Sequence, residues 1–236
     1  MSGHGLTIAS AVTTWSGLAI EKVEITGQSE TSEVDVLAGL GIGDYPSIVT
    51  FDVDAARARI EALPWVEQAT IRKLYPDTLK VRVAERNAYA IWQHEGQFSL
   101  IDKAGRSITE QIGERYAKLP LVVGDGAEKR AREFVSIVDG VPSLKPLIKA
   151  GVLVSNRRWN VLLTNGVEVL LPQDDPGSAL VQVVALNDGH AILSRDITAI
   201  DLRLPDRLVV RLTEAGEAAR QQMLKDRDKA GKKGAA

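Results

Sequence analysis

The sequence predicts an α+β protein: a small sheet with helices on one face, then a mixed, mostly antiparallel β unit with flanking helices. Three observations predict it. Strand, helix, helix, strand, strand patterns follow one another between Lys22 and Glu85, the order of a small sheet covered on one side. Two later pairs of apolar runs flank turn residues, at Asp102–Gly105 and at Asn165-Gly166, the second being the stronger hairpin sequence. Between and after them lie stretches with apolar residues at helical spacing.

Residues 1–19 are small, polar and aperiodic and read as a flexible leader. The first strand is expected at Lys22 to Ile25, where Val23 and Ile25 alternate with charged residues before Gly27. A helix follows with Thr31 or Ser32 as N-cap and Val34, Leu37 and Leu40 at helical spacing, ended by the Gly39, Gly41 and Gly43 run. A second helix is expected from Asp54 to Leu63, burying Ala56, Ile60 and Leu63 and stopped by Pro64. Trp65–Leu74 and Thr78–Glu85 then form two strands around Tyr75-Pro76-Asp77, with Leu79, Val81 and Val83 on one face.

In the second unit, strands at Phe98–Asp102 and Arg106–Ile108 flank the first turn, and Val161–Leu163 and Val167–Leu171 flank the second. Ala127–Val138, Leu144–Ile148 and Pro176–Leu193 have helical apolar spacing. The last hairpin pairs Ile197–Leu204 with Leu208–Leu212. Residues 213–236 turn charged and Gly/Ala-rich, a solvated tail expected to be helical only at its start.

Composition narrows the function. A chain of 236 residues with 25% charged residues, 44% hydrophobic residues and a net charge of −2 belongs to the ordinary globular class and disfavours a nucleic-acid partner. It has no cysteine, which excludes disulfides, thiolate metal sites and thiol nucleophiles. The apolar stretch from Gly5 to Ile20 is broken by five Ser and Thr residues and falls short of the roughly 20 apolar residues that span a bilayer. Nor does the start read as a signal peptide, because no cationic segment precedes a compact apolar one.

The chemistry-bearing residues make no case for an enzyme. His4, His94 and His190 have no metal-site spacing. The Gly39–Gly43 cluster follows a helix instead of joining a strand to one, so it reads as a helix stop and not as a phosphate loop. Asp174 and Asp175 precede Pro176, where carboxylates complement a helix N-terminus better than they serve as an acid/base pair. No serine lies in a G-x-S-x-G elbow. Neither a metal nor an organic cofactor is expected.

The segment from Leu63 to Ile108 carries an ordered series of pieces. They are Leu63-Pro64-Trp65-Val66, Tyr75-Pro76-Asp77-Thr78-Leu79, Glu85-Arg86, Ala90-Ile91-Trp92, and Leu100-Ile101-Asp102 with Gly105. Leu119 to Gly124, Arg158-Trp159 and Ile200-Asp201-Leu202-Arg203 continue the series more weakly. Each piece alone has a packing or turn explanation, but together they resemble the FtsQ/DivIB family of bacterial cell-division proteins.

The resemblance implies a POTRA domain at residues 20–88 and an FtsQ-type β domain at 89–212, after the leader at 1–19 and before the tail at 213–236. It also implies a non-enzymatic scaffold at the division septum that binds FtsB and FtsL, with FtsW and FtsI as further divisome partners, and influences septal peptidoglycan synthesis. Relatives are single-pass proteins of the cell inner membrane with this region on the periplasmic side. The membrane helix that the resemblance implies is absent from this sequence. The alternative is a POTRA-bearing, substrate-binding component of outer-membrane protein assembly or secretion. That reading expects repeated POTRA units or a barrel of about ten-residue strands with aromatic girdles, patterns the sequence does not carry.

The partner site is expected on the last hairpin. Leu202, Leu204, Leu208, Val210 and Leu212 share one parity and are expected to be buried, whereas Asp201, Arg203, Arg207, Val209 and Arg211 share the other and make a mostly basic exposed face. No strand pattern follows Leu212, so this strand is expected to end its sheet with free backbone groups, the Val209 N–H among them. An acidic, extended partner segment fits both features. The resemblance implies strand addition by FtsB there, with Arg158 as a weaker neighbour. Relatives often continue the Asp-Leu-Arg run with an aromatic and a glycine, where this chain has Leu204-Pro205-Asp206-Arg207.

Overall fold

The structure, a computed structural model, describes residues 18–44, 46–204 and 206–233. They divide into two compact units, the first up to residue 87 together with residues 107–109, the second made of residues 88–106 and those from 110 onward.

The first unit has the order β1 (Lys22–Thr26), α1 (Glu33–Leu40), α2 (Val53–Glu61), β2 (Val66–Leu74) and β3 (Thr78–Glu85). Its sheet runs β1-β3-β2, with β1 parallel and β2 antiparallel to β3. Both helices begin where side chains replace missing backbone acceptors. Ser32 accepts from the Val34 N–H at 3.2 Å, and Asp52 accepts from the N–H groups of Asp54 and Ala55. Val36, Leu40, Ala56 and Ile60 then pack with Val66, Ile71, Val81 and Val83 in one core.

Three expectations need correction here. The leader does not extend through residue 19, because Ala19 bridges Ser47 and the Ile48 N–H donates to the Leu18 carbonyl; residues 1–17 lie outside the described residues. Val34 and Leu37 face outward, 71% and 40% exposed, and Val36 takes their place in the core. Gly39 sits inside α1 and does not end it. A Cβ on Gly39 would lie 2.9 Å from Ile60 Cγ1, so this glycine brings α1 close to α2 and sets which face turns inward. The helix stop is Gly41, at φ 61°.

After residue 87 the chain forms β4 (Ala90–His94), β5 (Gln97–Ile101), β6 (Ser107–Thr109), β7 (Leu121–Val123), α3 (Ala127–Asp139), β8 (Ile148–Val154), β9 (Arg158–Leu163), β10 (Glu168–Leu170), α4 (Pro176–His190), β11 (Ile197–Asp201), β12 (Val209–Leu212) and α5 (Glu214–Lys233). These strands form one sheet of nine in the order β12-β11-β10-β9-β8-β7-β4-β5-β6. It is mixed, since β7 and β8 run parallel across α3 and β10 and β11 run parallel across α4. Parallel neighbours need such crossovers, and a helix is the usual one. Phe134 and Val138 of α3 and Leu180 and Val183 of α4 share a core with Trp159, Val161, Leu163 and Val169. The Phe134 and Trp159 rings lie 4.9 Å apart.

Residues 144–148 are not a helix that runs through Ile148. A 3-10 turn at Lys145–Leu147 leads into β8, which starts at Ile148. The tail from 213 is not helical only at its start, since α5 continues to Lys233. Thr213 opens it by accepting from the Gly216 N–H at 3.1 Å. Beyond that the segment is rich in Ala, Lys, Arg, Gln and Glu, all good helix formers. No described helix is long and apolar enough to cross a membrane.

Candidate functional site

The last hairpin closes one end of the nine-stranded sheet. β11 and β12 pair antiparallel with Asp201 opposite Val209, Ile200 opposite Val210, Ala199 opposite Arg211 and Ile197 opposite Leu212, around a register shift between Ile197 and Ala199. On its other side β11 pairs with β10, while β12 has no further strand neighbour among the described residues.

Backbone polarity along β12 follows from three hydrogen bonds. The Thr213 N–H donates to the Asp196 carbonyl at 2.9 Å, so residue 213 faces β11. The Thr198 hydroxyl donates to the Arg211 carbonyl, which therefore faces β11 too. The Leu202 N–H donates to the Leu170 carbonyl, so Leu202 and Ile200 turn their backbone toward β10, leaving Ala199 and Asp201 for β12. Because backbone groups alternate sides along a strand, Val209 and Arg211 pair with β11. The outward N–H and C=O groups belong to Val210 and Leu212. This corrects the expectation that the Val209 N–H is free.

The side-chain parity holds only where strands pair. Leu202 is buried, and Val210 and Leu212 pack against the core. Leu204 and Leu208, expected inside, are 52% and 38% exposed. They lie in the connection between Asp201 and Val209, where no ladder imposes a period of two. There they line a groove of about 580 Å3 with Asp174, Asp175, Arg203 and Arg207.

The exposed face is less basic than the sequence predicts. Arg203 grips Asp201 through two hydrogen bonds of 2.9 and 2.6 Å, and Arg207 pairs with Asp206 at 3.1 Å. Arg203 and its backbone N–H hold the Asp201 carboxyl below the usual range, against a smaller opposing effect of burial; Arg158 adds a further charge in the same direction. Because Asn160 lies opposite Leu170 and Leu170 opposite Asp201, Arg158, the first residue of β9, lies toward the same end of the sheet as Asp201. Arg211 has no ion-pair partner among the described residues.

Asp175 is the N-cap of α4, and its side chain accepts from the Ser178 N–H at 3.2 Å. His94 stacks on Trp92 with ring centroids 5.1 Å apart, while His4 lies outside the described residues. The described residues contain no group of three or more His, Cys, Asp or Glu placed to hold a metal. One part of the site escapes a residue-pattern reading. Glu217, Arg220, Gln221 and Leu224 of α5 line a groove of about 450 Å3 together with Val209, Val210, Arg211 and Leu212. The helix-forming composition after Thr213 was the available signal.

Comparison with known proteins adds an independent result. The model of the FtsQ-type POTRA domain matches residues 18–86, and that of the FtsQ/DivIB C-terminal domain matches residues 90–203. Cell division protein FtsQ of Rhizobium meliloti strain 1021 is 43% identical over 213 residues, which cover 90% of this chain and 69% of the relative. Cell division protein FtsQ of Agrobacterium fabrum strain C58 is 40% identical over 233 residues, covering 99% of this chain and 74% of the relative. The major extracytoplasmic domain of DivIB from Geobacillus stearothermophilus is a weaker match, at 15% identity and a TM-score of 0.32, covering 46% of this chain and 97% of that one.

Proposed function

The chain belongs to the FtsQ/DivIB family of bacterial cell-division proteins, and from that premise we propose that it is a non-enzymatic divisome scaffold whose β12 edge takes up a strand from FtsB. FtsL joins the same complex, and FtsW and FtsI are further partners through which the scaffold influences septal peptidoglycan synthesis. The protein works at the septum on the periplasmic side of the inner membrane as a single-pass membrane protein.

The observation that carries this reading is the unpaired edge of β12. An edge strand with outward N–H and C=O groups is a ready template for another chain, and strand addition draws its affinity from those main-chain bonds. Val210 and Leu212 supply the groups, and Arg211 between them supplies a positive charge for an acidic segment. Arg158 and the Asp201–Arg203 pair lie at the adjoining end of the sheet. Leu204 and Arg207 line the groove beside them.

The test is titration of the protein with the extracytoplasmic segment of FtsB, read by calorimetry and by amide hydrogen exchange. Binding is expected to slow exchange of the Val210 and Leu212 amides. Binding that leaves both amides as fast as in the free protein would refute strand addition at this edge.

A further inference from the structure

We propose that α5 is the second wall of the partner slot, so that an added strand is held between the β12 edge and this helix. The inference rests on strand addition at β12 and extends it to a helix that the hairpin alone does not include.

Side chains alternate across a strand, so a groove on one face of a sheet is lined by every second residue. Here Val209, Val210, Arg211 and Leu212 all line the groove. It therefore opens along the edge of β12, where the outward backbone groups lie. The facing wall consists of Glu217, Arg220, Gln221 and Leu224, spaced by three, one and three and so on one side of a helix.

The root of this wall is fixed. α5 starts two residues after β12 ends, and a Cβ on Gly216 would lie 2.6 Å from the Asp196 carbonyl oxygen and 3.4 Å from the Leu212 Cβ. Glycine lets the first turn approach the sheet that closely, and the helix residues from Glu217 to Leu224 line one groove with all four residues of β12. An added strand would lie about 4.8 Å from β12 in the plane of the sheet, inside the groove.

The charges select the occupant. Arg211 and Arg220 stand in the slot without ion-pair partners among the described residues, against one carboxylate, Glu217. A second copy of the chain would bring two more arginines to the same place. An extended acidic segment of another protein complements them, with an apolar residue toward Leu224 and Val209, which are 44% and 51% exposed.

The experiment compares the wild-type protein with Arg220→Glu, Arg220→Lys and Leu224→Glu, each checked for helix content by circular dichroism. The FtsB extracytoplasmic segment is the probe, and affinity and amide exchange are both measured. Arg220→Glu and Leu224→Glu are expected to weaken binding about tenfold, Arg220→Lys is expected to bind nearly as wild type, and the Val210 and Leu212 amides stay protected at saturation. Wild-type affinity in both Glu variants, with those amides still protected, would overturn the wall while leaving strand addition standing. Tighter binding in those variants would also overturn it, since the helix would then cover the edge. Loss of tight binding through self-association of the chain would overturn the choice of occupant. Absence of amide protection in the wild-type complex would defeat strand addition and the wall together.

Discussion

Proline substitution at two adjacent positions of β12 separates the proposed edge from its neighbour. Proline removes one N–H without adding charge. At Val210 that N–H faces outward, so the free protein loses no ladder bond, and an edge position of this kind is where sheets tolerate proline. In the complex the partner carbonyl opposite Val210 would be left without a donor, which costs about 1–3 kcal/mol. At about 1.4 kcal/mol per factor of ten, that is roughly 5- to 150-fold in Kd. At Val209 the N–H faces Asp201 across the β11–β12 ladder, so the same change breaks an internal bond and lowers stability by about 1–3 kcal/mol. Calorimetric titration with the FtsB segment and thermal unfolding of each variant give the two numbers. Val210→Pro is expected to lose affinity with a Tm loss no larger than that of Val210→Ala, which removes the same packing, whereas Val209→Pro also loses a ladder bond and with it Tm by roughly 2–8 °C per kcal/mol. The opposite pattern would refute the backbone polarity, and unchanged affinity in a folded Val210→Pro protein would refute the site.

Three further outcomes follow from the geometry. The Glu85 carboxylate, although burial opposes its ionisation, is held below its ordinary pKa by the N–H groups of Ser29, Glu30 and Thr31, at 2.7–3.0 Å. It therefore contributes stability above the ordinary carboxylate pKa that is lost as pH falls through the lowered value, and Glu85→Gln is expected to cost about 1–2 kcal/mol at neutral pH with a smaller loss in acid; a denaturation series showing an equal loss at every pH would contradict this. Gly151→Ala puts a Cβ 2.4 Å from the Phe134 ring, so urea unfolding is expected to register a loss of about 1–3 kcal/mol, and an unchanged midpoint would mean that α3 shifts freely. Asp201 is expected to titrate below the ordinary Asp range by carboxyl NMR and to move upward in Arg203→Gln, because the guanidinium bonds are the largest cause of its shift; an unmoved midpoint would assign the effect elsewhere.

What the sequence showed depended on how local each cause was. The order of the first unit was legible because Val23 and Ile25, Leu79 to Val83, and the Ser32 cap act within a few residues of themselves. The phase of α1 was not. Val34, Val36, Leu37 and Leu40 offer two apolar faces, and the choice is made by the fit of Gly39 against Ile60, twenty-one positions away. The same limit hid β7, a three-residue apolar run without alternation, and β8, whose Ile148-Lys149-Ala150-Gly151 start shows no clean period of two. Glu85 was visible as a motif residue, but its work is done on amides more than fifty positions earlier.

The edge itself is a property of topology and not of chain order. β12 is the last strand in sequence and does end the sheet, yet β6, at Ser107–Thr109 in the middle of the chain, ends the other side. The crossovers through α3 and α4 reorder the strands, so being last does not by itself leave a strand unpaired. What the sequence could offer at β12 was the alternation of Val210 and Leu212 with Val209 and Arg211. That alternation fixes the side chains, with Val210 and Leu212 turned to the core. In a strand the backbone N–H points across the ladder, at right angles to the side chain, so which N–H groups are free is decided by the register with β11. The register here starts from one bond, Thr213 to Asp196. The same two residues that anchor the core through their side chains thus offer their amides to a partner. Side-chain truncation at Val210 or Leu212 would therefore test packing, and only a change to the backbone tests binding.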